Sequence, residues 1–103
     1  MTAAPDGSLE FRTVLRAKHG LHARPAALVV TALAELDAEV DVVAPDGSVG
    51  DASSITQLQA LDLAHGDQLL VRASGPDAQA ALDAVRALAE RDFGDRPDVA
   101  TAS

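Results

Sequence analysis

The chain has 103 residues, the size of a single domain with one modest core and no room for a second. Apolar types make up 48% of it, but alanine dominates and Phe11 and Phe93 are its only aromatics, so the core has to come from leucine and valine, and a nucleic-acid reader that stacks bases on aromatic rings is disfavoured. A net charge of -8 repels nucleic acid and anionic membrane surfaces, and the absence of cysteine excludes disulfides, thiolate metal sites and thiol catalysis.

The charge is unevenly spread. Through Arg24 there are four basic residues (Arg12, Arg16, Lys18, Arg24) against Asp6 and Glu10, whereas from Pro25 onward four basic residues face fourteen acidic ones. The positive end coincides with the histidine pair His19 and His22, so an anionic ligand or an acidic partner surface is drawn there. No basic-then-apolar leader is visible at the N-terminus. The longest apolar run, Ala26 to Val30, falls far below the roughly 20 residues that span a bilayer. A cytoplasmic protein without membrane insertion is expected.

In chain order, residues 1–8 are small, polar and punctuated by proline and glycine, and read as a flexible tail. Leu9 to Ala17 alternates Leu9, Phe11, Thr13 and Leu15 against Glu10, Arg12, Val14 and Arg16, the period of a half-buried strand. From Ala23 to Leu36, Ala26, Val29, Val30 and Leu33 form one apolar helical stripe. Pro25 is tolerated because the first turn has no intrahelical use for its missing N–H. Glu39 to Ala44, the turn Pro45-Asp46-Gly47 and a short Ser48 to Asp51 arm read as a hairpin.

Ser54 to Leu61 is a short helix whose Ser54-x-x-Gln57 pattern matches a capping box. Asp67 to Ser74 is the last strand, and Pro76 and Asp77 open a final helix with Ala78, Ala81, Leu82, Val85, Leu88 and Ala89 at helical spacing, stopping near Gly94. Residues 94–103 read as a second flexible tail, leaving one domain over 9–93. The order βαββαβα predicts an α+β open-faced sandwich, a four-stranded antiparallel sheet with three helices on one face.

His22 stands at the start of the first helix, where the first backbone N–H groups lack carbonyl partners. Nothing in Gly20-Leu21-His22 offers the usual capping side chain, so the N–H groups of Ala23 and Arg24, with the positive end of the helix dipole, form an anion site. Arg24 adds a planar fork able to hold two phosphate oxygens. An imidazole that took up a phosphoryl group there would place the new dianion beside both. Paired carboxylates or a nucleophile-base constellation of a turnover enzyme do not accompany it; the pattern suits one stoichiometric station in a relay.

The string His19-Gly20-Leu21-His22-Ala23-Arg24-Pro25-Ala26 resembles the active-site segment of HPr, the phosphocarrier family of the bacterial sugar phosphotransferase system. The resemblance runs from about Leu9 to Phe93 and takes in Asp37-Ala38-Glu39-Val40, Ser54-Ile55, Ala64-x-Gly66 and Ser74-Gly75-x-Asp77. It implies the HPr-like fold, a phosphoryl group carried on Nδ1 of His22 with help from Arg24, and no cofactor. The implied donor is phosphorylated enzyme I, charged from phosphoenolpyruvate. The implied acceptor is an enzyme IIA domain serving sugar uptake, with the carrier a monomer. The same chemistry could serve a dihydroxyacetone kinase or regulatory phosphotransferase branch, and a non-phosphorylated HPr-like binding module is the reading from another class.

His19 replaces a small polar residue frequent in the family. It reads as an exposed loop histidine, with phosphate contact as the alternative, and no third ligand lies adjacent to make a metal site with His22. Arg16 and Lys18 are expected to steer an acidic partner, and Ile55 to touch one. Ser54 matches the regulatory serine of some family members, but Ser53 replaces the usual preceding basic residue, and Thr56 and Gln59 stand where an apolar patch is usual, so Ser54 is read as a helix cap rather than a phosphorylation site. The stretch from His22 to Ser54 is one residue longer than usual, and the Pro45-Asp46-Gly47 turn is the natural place for the insertion.

Overall fold

The computed structural model describes residues 2–3, 8–17 and 20–91. The described chain forms β1 (Thr2–Ala3), β2 (Leu9–Val14), α1 (Ala23–Leu33), β3 (Glu39–Val43), β4 (Val49–Asp51), α2 (Ile55–Ala60), β5 (Gln68–Ser74) and α3 (Ala78–Glu90). The strands pair antiparallel throughout in the order β1-β2-β5-β3-β4. Four of these strands, β2 to β5, together with the three helices make the architecture that the sequence predicts.

Several boundaries differ from the sequence reading. Thr2 and Ala3, read as tail, pair with Glu10 and Leu9 and add a two-residue strand at the sheet edge. The first long strand ends at Val14 rather than Ala17, because its partner begins only at Gln68 and no ladder continues beyond that pair. Leu15 instead exchanges hydrogen bonds with the turn before β5: its N–H donates to Asp67 O at 2.8 Å and its carbonyl accepts from Gly66 N–H at 2.7 Å. The first helix stops at Leu33, three residues short, where the Ala34 N–H turns back to Thr31 O in a tighter bond. The C-terminal tail reading lies outside the described residues.

Register sorts the side chains. Leu9, Phe11 and Thr13 on β2 oppose Ala73, Val71 and Leu69 on β5, and Val40 and Val42 on β3 continue those rows beneath the helices. The largest fully buried side chains are Leu15, Leu58, Leu82, Val71, Val85 and Pro25, so the core is aliphatic, and Phe11 packs only against its margin. The opposite face of the sheet is open and carries the ion pair of Arg72 with Glu10 at 2.8 Å.

On that open face Asp41 lies beside Asp51 across β3 and β4. Partial burial and then the Asp51 carboxylate push the Asp41 carboxyl above its ordinary value of 3.8, opposed by Arg72 and reinforced by Glu39. The folded state therefore holds its proton more tightly than the unfolded chain, so this group's contribution to stability falls as pH rises through the folded value and stays unfavourable at neutral pH. Asp41→Asn is expected to raise Tm at pH 7, with the advantage shrinking as pH falls through the raised folded value toward 3.8. Thermal melts across that range check it; a lower Tm at pH 7 would contradict it.

Two polar clamps shape the helix starts. Ser54 caps α2, its side chain accepting from the Gln57 N–H at 3.2 Å. Only half of the expected capping box forms, since the Gln57 side chain turns away to accept from the Asp51 N–H at 2.9 Å. Asp51 in turn accepts from the Ser53 N–H and hydroxyl, which hold its carboxyl below the usual range. Ser54→Ala is expected to cost about 1 kcal/mol, read from denaturant midpoints.

Candidate functional site

The segment joining β2 to α1 is held from below. Leu15 and Ala17 are fully buried, and the Gly20 N–H donates to Ala17 O at 3.0 Å. Gly20 then adopts a φ of +73° that brings its Cα against the connection between α2 and β5. A side chain there would place Cβ 2.2 Å from the Leu63 carbonyl oxygen, so only glycine fits. The next N–H, of Leu21, donates to that same oxygen at 3.0 Å, and the Leu21 side chain is buried. The result is a short strap that delivers His22 to the helix start in one position.

His22 is the N-cap of α1, with extended backbone at φ −83° and ψ −168°, and its side chain makes no capping bond. Its carbonyl accepts the first intrahelical bond, from the Ala26 N–H at 3.1 Å. Pro25, the third helical residue, is buried and contributes no donor, so its ring anchors the helix start at no cost in hydrogen bonding. The N–H groups of Ala23 and Arg24 thus head the helix without an intrahelical acceptor, and no acidic side chain occupies the first turn.

The His22 ring is half-buried, and its Nε2 is withdrawn from solvent. A nitrogen shut off in this way is poorly placed to meet an incoming group. Arg24 is exposed and forms no ion pair with a described residue, so its guanidinium is available for a second oxyanion. Histidine, two backbone donors and one cation at a helix start are the groups that a tetrahedral dianion attached to an imidazole would require.

The family model for the PTS HPr component phosphorylation site matches residues 9–91. The chain belongs to the HPr family. It is 34% identical over 82 residues to the phosphocarrier protein HPr of Mycoplasma genitalium, covering 80% of this chain and 93% of that protein. It is 41% identical over 96 residues to the DhaM phosphoryl donor subunit of the PEP-dependent dihydroxyacetone kinase of Pantoea ananatis; that match covers 92% of this chain, which spans only a fifth of the subunit. In structure it is similar to HPr from Thermoanaerobacter tengcongensis, with a TM-score of 0.79, 31% identity, and coverage of 86% of this chain and 99% of that one.

Of the residues singled out from sequence, the HPr fold gathers His22, Ala23 and Arg24 at one point. α2, with Ser54 and Ile55 at its start, packs beside α1. Ile55 is exposed, as are Thr56 and Gln59, whereas Leu58 is fully buried in the core. Lys18 and His19 lie outside the described residues. His65 is exposed in the turn before β5. Arg16 is exposed and shares a groove with Arg12 and Arg86, a grouping that the sequence did not reveal. Gly20 and the Leu63 carbonyl are the positioning elements that sequence reasoning missed; a glycine two residues before a helix-start histidine was the available signal. Among the described residues no helix is long and apolar enough to cross a membrane.

Proposed function

We propose that His22 is the phosphoryl acceptor of this HPr-family carrier, and that Nδ1 attacks the phosphorus of phosphorylated enzyme I as the donor's bond to that phosphorus breaks. The observation that carries the reading is the uncapped start of α1, where the Ala23 and Arg24 N–H groups head the helix directly after a histidine whose Nε2 is buried. The donors stabilise the phosphoryl group as it arrives, and the site is open enough to release it, since tight ground-state binding would slow transfer onward. The carrier works as a monomer in the cytoplasm, fed ultimately by phosphoenolpyruvate.

Delivery to an enzyme IIA domain for sugar uptake is the first reading of the acceptor. The similarity to a dihydroxyacetone kinase donor subunit over nearly the whole chain supports a second, in which the carrier feeds that kinase. Ile55 and the polar Thr56 and Gln59 would form part of the surface that meets either partner. Ser54 serves as a cap and not as an efficient regulatory phosphorylation site, because the exposed residues beside it lack the apolar patch a reader would need.

Incubation with phosphoenolpyruvate, magnesium and enzyme I tests the reading: one phosphoryl group per chain, in an acid-labile, base-stable linkage, is expected. Absence of modification would overturn it. Arg24→Ala is expected to retain acceptance but to slow transfer on the order of tenfold, because the backbone donors persist when the guanidinium is lost. Rapid-quench kinetics check this, and an unchanged rate would reduce Arg24 to a surface charge.

A further inference from the structure

A second charged feature lies away from the start of α1. β1 pairs only with Leu9 and Glu10, so from Phe11 to Val14 the outer edge of β2 has no neighbouring strand among the described residues. Along that edge runs an open groove of about 310 Å³, walled on the far side by Arg86, Ala89 and Glu90 of the last turns of α3. Arg12 and Arg16 line it from the β2 side. Three of the chain's eight basic residues are therefore collected in one groove of a protein whose net charge is -8. Arg12 and Arg16 are exposed and form no ion pair with a described residue, while Arg86 touches only the exposed Asp83, at 3.4 Å.

A strand edge with unpaired backbone groups accepts an extended peptide by main-chain hydrogen bonding, and the flanking side chains then select its composition. Here the selection is electrostatic and alternating. Arginines flank the edge, with one carboxylate, Glu90, among them, and Phe11, Val14 and Ala89 offer apolar surface between the charges. Apart from the start of α1 with its exposed Arg24, the strongly acidic remainder of the chain repels acidic segments, which favours their approach to this groove. Nucleic acid fits less well, since it would meet the repulsion of a chain of net charge -8.

From these observations we propose that the groove between the β2 edge and the end of α3 is a docking site for an extended acidic segment of a partner protein, added as a strand alongside Phe11–Val14. The site is separate from His22, so a partner could be held here while the helix start remains accessible. It stands whether the acceptor is an enzyme IIA domain or a kinase.

The test uses the full chain, isotope-labelled, titrated with a capped peptide alternating Glu and Val. Saturable amide shifts and slowed hydrogen exchange are expected at Phe11–Val14, with shifts at Ala89 and Glu90 and none at His22–Ala26. Arg12→Ser combined with Arg86→Ser should weaken binding about tenfold with Tm unchanged. A peptide N-methylated on alternate residues, unable to complete the ladder, should also bind about tenfold more weakly. The proposal is overturned by absence of saturable shifts at millimolar peptide, by shifts centred on the helix start, by equal binding of the N-methylated peptide, or by tighter binding of an oligouridylate.

Discussion

His22→Ala is expected to abolish phosphoryl acceptance while leaving the fold intact. The ring does not cap α1, so its removal costs no capping bond, and the helix start is fixed instead by the buried Pro25, by the His22 carbonyl and by the strap beneath it. Stability should change by less than about 1 kcal/mol. The loss of activity should be complete because His65 is exposed in a turn remote in sequence from any helix start, and His19 precedes the start of α1 by four residues. Phosphorylation with enzyme I, followed by intact-mass measurement beside a thermal melt, separates the two effects. Full stoichiometric labelling of the variant would show that another residue is the acceptor.

Gly20→Ala should act in the opposite sense, keeping the nucleophile but damaging its support. At φ +73° an alanine is strained by about 1–2 kcal/mol. Its Cβ would lie 2.2 Å from the Leu63 oxygen, a backbone atom that yields only if the whole connection shifts. Such displacement costs about another 2 kcal/mol. It also breaks the Leu21 N–H bond to the same oxygen, which aims the segment before His22. A Tm loss of more than about 10 °C is expected for a domain of this size. Phosphoryl uptake should slow even well below the melting transition. A variant melting within a degree or two of the parent would mean that the strap does not hold the site.

The contrast between these substitutions marks what a reader of the sequence could and could not see. His22, Arg24 and Pro25 are close in sequence and their chemistry is local: an uncapped helix start is visible from the missing Ser, Thr, Asp or Asn and from a proline placed where no N–H is needed. Ser54 likewise announced its cap to the Gln57 N–H. The other half of that motif went elsewhere because Asp51, at the end of β4, offered the Gln57 side chain a donor that became adjacent only on folding. In the same way Asp77 opens α3 without capping it, its carboxylate accepting instead from the Asp37 N–H at 2.7 Å across 40 residues. Gly20 against Leu63, and Arg16 beside Arg86, are of this kind too. Alternation in β2 and the Leu- and Val-rich run of β5 were legible, but the insertion of β5 between β2 and β3 is a matter of pairing partners, which neither encodes.

In the proposed transfer, Nδ1 of His22 receives the phosphoryl group at the start of α1. Nitrogen-15 correlation spectra of the ring, recorded before and after phosphorylation by phosphoenolpyruvate and enzyme I, test it most directly. The His22 Nδ1 resonance is expected to move to the position of a phosphoramidate nitrogen while the amides of Ala23 and Arg24 shift downfield as they bind the new oxyanion. A phosphoryl group on Nε2, on another residue, or on His22 without any response from those two amides would contradict it.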